Sequence, residues 1–234
     1  LESNGVKVVR PKISKPSWAY SARDIILIVG NKVIECPTPF NSRAKELDLY
    51  PELKSASCDI IRAPRPNNNG DPMFDAANIL KVNDKLLYSL SHSANSAGAV
   101  WLQEQVGSEF EVITWQAVKH QITHIDSTLL TCDHNTIVAN ANRLTNDTLP
   151  TFMKDYKKIW VNDCVPRDFH KFPYASKWIG MNMLSIDSYF SFCFAFIEYQ
   201  VCLLFFIITK VILLNNHLTK KMEKRLSSNI IRHF

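Results

Sequence analysis

The feature that most constrains the fold is a strand–turn–strand pattern that recurs three times, each copy led by an aspartate. Asp24, Asp75 and Asp126 stand at equal intervals of 51 residues. In the first copy Ile25-Ile26-Leu27-Ile28-Val29, Gly30-Asn31 and Lys32-Val33-Ile34-Glu35 read as strand, turn and strand, because β-branched runs flanking a Gly-Asn pair favour a hairpin. Ile79–Val82, Asn83-Asp84 and Lys85–Tyr88 repeat it, and Thr128–Thr131, Asp133-His134-Asn135 and Thr136–Ala139 repeat it again. After each hairpin the sequence predicts a helix, over Ser42–Leu53, Ala94–Val106 and Thr151–Lys158, and then a lone strand at Asp59–Ile61, Glu111–Thr114 and Ile159–Val161. A ββαβ unit of this length cannot bury its own apolar face, so several must stack or form a ring. A fourth unit opens at Ser176–Asp187, but its hairpin is expected to lack a second strand because the character of the chain changes there.

If the units form a ring, the three aspartates come from equivalent positions and converge on the axis, where they concentrate negative charge and call for a cation. A guanidinium suits such a site, since its planar fork of N–H donors pairs bidentately with carboxylates. His124-Ile125-Asp126 adds an imidazole two residues from a carboxylate, so in extended backbone both project from one face. A carboxylate beside His124 can also hold the ring in the tautomer that proton transfer needs. The plainer alternative for each aspartate is a turn acid that accepts a backbone N–H. His92, His120, His134 and His170 have no comparable neighbour and carry no assignment.

Composition narrows the function class. With 46% hydrophobic and 21% charged residues the chain is ordinary for a globular protein. Of its net charge of +5, residues 188–234 hold +4, so the body carries only +1, which is no electrostatic footprint for nucleic acid. The six cysteines show neither CxxC pairs nor another metal-ligand spacing, which argues against zinc and against a disulfide framework. The chain opens at Leu1, and its true start is expected upstream.

From about Tyr20 to Asp187 the sequence resembles the amidinotransferases, and among them most nearly those that use glycine as acceptor. The residues that carry the likeness are Arg23-Asp24-Ile25 leading to Val29-Gly30-Asn31 and Ile34-Glu35, then Phe74-Asp75-Ala76-Ala77, His124-Ile125-Asp126, Asn140-Ala141-Asn142-Arg143, and Ser176-Lys177-Trp178 with Met181-Asn182-Met183-Leu184. The resemblance implies a partial pseudo-fivefold α/β propeller of ββαβ modules. It implies transfer of the amidino group of L-arginine to glycine, giving ornithine and guanidinoacetate for creatine biosynthesis, with another amine such as an inosamine phosphate as the alternative acceptor. By the same resemblance Asp75 and His124 match the catalytic acid and base, Asp24 and Asp126 the carboxylates that hold the guanidinium, Arg143 the partner of the substrate carboxylate, and Ser176 a hydroxyl lining the site. No cofactor or metal is implied, the small-molecule substrates being the main partners and a homodimer a candidate assembly. Mitochondrial placement, peripheral to the inner membrane, follows from likeness to the animal enzymes, with the cytoplasm as alternative.

The sequence also departs from the family. Its nucleophile lies in a Gly-Gly-Gly-Phe-His-Cys type of block that these residues do not contain, so the chain itself is expected to be inactive. Asn78 stands where the family usually has another acid, and the loop Pro64–Gly70 is short. Residues 188–234, set apart from the incomplete propeller at 1–187, contain no Gly or Pro and run from an apolar stretch at Tyr189–Leu214 into Lys220, Lys221, Lys224 and Arg225. A C-terminal membrane anchor is one reading, which would make the chain a tethered, non-catalytic guanidino-binding module. Glu198, Gln200 and Lys210 weigh against it, and translation of A/T-rich non-coding or frame-shifted sequence is preferred. A hydrolase of the same superfold acting on arginine is the remaining rival.

Overall fold

The computed structural model describes residues 8–12, 21–55, 58–68, 70–116, 124–162, 178, 181, 183–185, 191–197 and 200–204. They form four three-stranded sheets in chain order. The first comprises β1 (Ile26–Val29), β2 (Lys32–Glu35) and β3 (Asp59–Arg62); the second β4 (Ile79–Val82), β5 (Lys85–Ser89) and β6 (Glu111–Trp115); the third β7 (Leu129–Asp133), β8 (Thr136–Asn140) and β9 (Lys157–Val161). In all three the first two strands pair antiparallel and the third joins parallel. The repeat read from the sequence is thus an α/β propeller module in space.

Hairpin register sets which side chains meet. Val29 pairs with Lys32 around Gly30-Asn31, and Val82 with Lys85 around Asn83-Asp84. Gly30 and Asn83, both with left-handed φ (57° and 55°), therefore hold the same turn position. Asparagine tolerates that region better than most residues, which explains how one turn serves two sequences. Alternation along the strands then sends side chains to opposite faces. Leu27, Val29 and Ile34 pack forward on Ile79, Leu86 and Tyr88, while Leu80, Val82 and Leu87 pack forward on Leu129, Ile137 and Ala139. Leu130 and Val138 continue the pattern against Trp178 and Met181. The core is a series of seams between modules, not a single centre.

The connections differ from expectation in two of three modules. Ser96–Val106 does form a helix (α3 here), capped where Asn95 Oδ1 accepts from Gly98 N at 2.8 Å. The helix expected over Ser42–Leu53 is instead two 3₁₀ turns (Asn41–Arg43 and Glu46–Leu49) and a short α-helix (α2, Pro51–Ser55), because Lys45 adopts a left-handed φ of 66°. Over Thr151–Lys158 only the 3₁₀ turn Thr151–Met153 remains, since Lys157 and Lys158 are taken into β9 beside β8.

The fourth sheet also corrects the sequence reading. β10 (Met183–Ser185) receives a partner in β11 (Ser191–Ile197), which pairs onward with β12 (Gln200–Leu204), both antiparallel. Among the described residues no helix is long and apolar enough to cross a membrane.

Close packing of α3 on the second hairpin depends on Gly98. A Cβ there would stand 2.5 Å from Tyr88 Oη and 2.7 Å from the Met73 carbonyl. Tyr88 Oη donates to the carbonyls of Met73 and Asn95, so neither contact can yield freely. Gly98→Ala should destabilise the fold by about 1–3 kcal/mol, the usual range for overpacking, as read by the midpoint of denaturant unfolding.

Candidate functional site

Three short turns enter the first strands of successive modules. They are the four-residue helix Ala22–Ile25 (α1 in chain order), the 3₁₀ turn Ala76–Asn78 and the 3₁₀ turn Ile125–Ser127. The first lies against the second and the second against the third. Asp24 lies in the first, while Asp75 and His124 occupy the N-caps of the second and third. The seams thus bring acids from three modules to one place, as the sequence pattern predicts.

The equivalence of the three acids is looser than their spacing suggests. Asp75 and Asp126 each lie eight residues before the first turn residue of their hairpin (Asn83 and His134), whereas Asp24 lies six before Gly30. Asp24 is therefore displaced by two positions relative to its hairpin; it and Asp126 lie inside their turns, whereas Asp75 caps one.

His124 is the hub. Its Nε2 lies 3.2 Å from Asp75 Oδ2 and its Nδ1 3.8 Å from Asp24 Oδ1, so carboxylates flank both ring nitrogens. The Asp75 side chain is 2% exposed against 25% for His124. Asp75 makes no side-chain cap to its own turn. Its Oδ1 is buried and has no hydrogen-bond partner among the described residues. That answers the turn-acid alternative for Asp75: the carboxylate is directed at the imidazole. Burial pulls the His124 pKa down, but the hydrogen bond to Asp75 and the charges of Asp24 and Asp126 outweigh it and raise the value above the usual 6.5. Asp126 is raised from the ordinary carboxylate value, mainly by burial, against the opposing pull of His124 and Arg23. A guanidinium placed beside it would reverse that shift.

Arg43 and Glu46 are site residues that the sequence reading missed. Arg43 Nη1 donates to Asp24 Oδ2 at 2.5 Å, while Nε and Nη2 grip Glu46 at 2.9 and 2.8 Å. Nη2 also donates to the Ser21 carbonyl. The clamp fixes one oxygen of Asp24 and leaves the other toward His124. The Arg43–Glu46 spacing of three residues was the available signal, but nothing in the sequence points that pair toward Asp24. Arg143 Nη1 donates to Ser127 O, Ser127 Oγ and Thr128 Oγ1 at 3.1, 2.7 and 2.7 Å. Arg143 is thereby seated over the turn of Asp126, and its other guanidinium nitrogens have no hydrogen-bond partner among the described residues. Ser176 lies outside the described residues.

The described thiols show no activated nucleophile. Cys36 sits near Asp75 but is buried among apolar residues, and burial first, then Asp75, raises its pKa well above that of a free thiol. Burial pushes Cys132 up to about 11. Cys58 donates to the Leu53 carbonyl. No group of three or more His, Cys, Asp or Glu among the described residues is arranged to hold a metal ion.

Two outcomes follow from this geometry. Histidine ring-proton NMR should show His124 titrating above 6.5, and Asp75→Asn should move it down. Because the folded imidazole holds its proton more tightly than the unfolded one, its contribution to stability is complete below pH 6.5 and is lost as pH rises through the folded value. Arg43→Met removes the counter-ion of two carboxylates whose side chains are 18% and 4% exposed. Urea unfolding should show a loss of about 3 kcal/mol, as for other broken buried ion pairs.

No family model matches the chain. Among curated proteins it is 32% identical over 220 residues to inosamine-phosphate amidinotransferase 1 of Streptomyces griseus, covering 80% of this chain and 63% of that protein. To the mitochondrial glycine amidinotransferase of Xenopus tropicalis it is 23% identical over 235 residues, covering 80% of this chain and 55% of that one. Among solved structures, the Streptomyces griseus inosamine-phosphate amidinotransferase matches with a TM-score of 0.71 at 30% identity, over 81% of this chain and 64% of that chain. An amidinotransferase of the saxitoxin pathway from Microseira wollei matches with a TM-score of 0.73 at 25% identity, over 81% and 66%. The chain spans between 55% and 66% of the length of these proteins. Over about four fifths of its length the chain is similar to amidinotransferases in sequence and in fold.

Proposed function

We propose that this chain carries the guanidinium-holding and proton-transfer part of an enzyme that moves the amidino group of L-arginine to an amine. The observation that carries the reading is one imidazole flanked by Asp75 and Asp24, with Asp126 adjacent, at the meeting point of three modules. Asp24 and Asp126 would hold the planar cation, which they bind more strongly than a neutral donor. Arg143 would present its remaining N–H groups to the substrate carboxylate. A resonance-stabilised guanidinium resists direct attack by an amine, so the transfer is split at a thiolate. The thiolate bonds to the guanidinium carbon, His124 protonates the departing nitrogen, and ornithine leaves an amidino-thioether. The acceptor amine then attacks the same carbon, its proton passes to His124, and the thiolate departs.

The thiolate is not supplied by a matching block in these 234 residues. Cys36 and Cys132, whose pKa values are raised, are poor substitutes. The chain alone should therefore bind L-arginine without turning it over. For the acceptor, glycine was the expectation from sequence, but the higher identity to the inosamine-phosphate enzyme favours an aminocyclitol phosphate. Calorimetry should detect L-arginine binding, weakened about tenfold or more in Asp126→Asn, a loss of about 1.4 kcal/mol consistent with one charge-assisted bond. Ornithine should stay at background with glycine or with an inosamine phosphate. Steady ornithine release would refute the missing nucleophile, and unchanged binding in Asp126→Asn would refute the cradle.

A further inference from the structure

We propose that Arg23 is a positioning residue, a clamp thrown from the first module across the turn that carries Asp75, and that this clamp sets the contact between Asp75 and His124. Arg23 Nη1 donates to the Ala76 carbonyl at 2.8 Å and Nη2 to the Ile79 carbonyl at 2.9 Å. These two carbonyls bracket the turn Ala76–Asn78, whose N-cap is Asp75. One planar fork thus holds both ends of a three-residue turn, a task that depends on two donors at fixed separation and that a lysine cannot reproduce.

From the other side the same turn is pinned by Asn78. Its Nδ2 donates to Ser89 O at 3.2 Å and Ser91 Oγ at 2.6 Å, and its Oδ1 accepts from Ser93 Oγ at 3.2 Å. The backbone N–H of Asp75 also donates to the Ser93 carbonyl at 3.1 Å. The inner pins come from the same module as the turn, whereas Arg23 belongs to the preceding one. Two ties cross to the module that bears Asp24: the Phe74 N–H donates to the Pro37 carbonyl at 3.1 Å just before Asp75, and Arg23 holds the turn just after it. The need for such a tie is visible at Asp75 itself, whose Oδ1 is buried without a partner among the described residues. With so little holding the carboxylate directly, its aim at His124 depends on the backbone beneath it. A shift of about 1 Å would take the 3.2 Å contact beyond hydrogen-bond range.

Arg23 also acts through its charge, and the two effects on His124 have opposite signs. The groups that face the imidazole are Asp75, Asp24 and Asp126, with Arg23 set against the latter two. Loss of a cation alone would favour the protonated ring and raise the His124 pKa. Loss of the clamp would loosen Asp75 and lower it.

The inference rests on Asp75 and His124 being the reactive pair, but it is read at the imidazole and can fail while amidino transfer stands. The test is histidine ring-proton titration by NMR on the full chain, as wild type, Arg23→Lys and Arg23→Met, with L-arginine binding by the wild type measured separately as the check on function. Both variants should lower the His124 pKa. Arg23→Lys keeps the charge and the long stem, and it decides the matter alone should Arg23→Met not fold. A rise in Arg23→Met with no change in Arg23→Lys would reduce Arg23 to a counter-ion, and no shift in either would overturn the proposal.

Discussion

The contact between His124 and Asp75 crosses a module boundary, so it exists only while the apolar seams keep neighbouring hairpins in register. Leu80, Val82 and Leu87 lock onto Leu129, Ile137 and Ala139, and this packing lays the turn Ile125–Ser127 against the turn Ala76–Asn78. A slip of one residue in a hairpin would send those side chains to the wrong face and carry the turn with them. Stability and chemistry therefore share one constraint. Separating the modules that build the site means opening a seam of buried aliphatic side chains.

That coupling lets the molecule tolerate an unfavourable centre. Three carboxylates and an imidazole, all partly or wholly withdrawn from water, repel or desolvate one another. The chain meets this with cations that are themselves tied down: Arg43 by Glu46 and the Ser21 carbonyl, Arg23 by carbonyls of the second module, Arg143 by the Ser127–Thr128 turn. Each of these arginines is held by atoms other than the central acids. The acids are thus steadied without being neutralised completely, and Asp126, still raised by burial, remains receptive to a further cation.

The sequence carried the fold at the level where period-2 patterning and turn chemistry speak clearly. All three hairpins lie where their apolar runs and Gly-Asn, Asn-Asp and His-Asn turns placed them. The connecting helices were less legible, because Lys45 and the pull of β9 are tertiary effects that outweigh local propensity. At the site, Asp24, Asp75, Asp126 and His124 stood out as residue types in a repeat, and the structure brings them together. Of the arginines that organise them, Arg143 was singled out through the family resemblance, whereas Arg23 and Arg43 were given no role, because nothing in their spacing aims either guanidinium at the site. The displacement of Asp24 by two positions was present in the sequence, as six residues before the hairpin turn against eight, and the equal 51-residue intervals masked it.

The fourth sheet shows why β10, β11 and β12 do not repeat the module. In the first three sheets the third strand runs parallel to the second, which requires a crossover of a dozen or more residues. Between β11 and β12 there are only two residues, so the pair can close only as an antiparallel hairpin. The sheet order is preserved while the connectivity is not. Apolar, β-branched and aromatic composition is sufficient to add strands to the open edge that β10 presents. A module is therefore defined less by its strands than by its crossover, and the two-residue link between β11 and β12 is too short to be one.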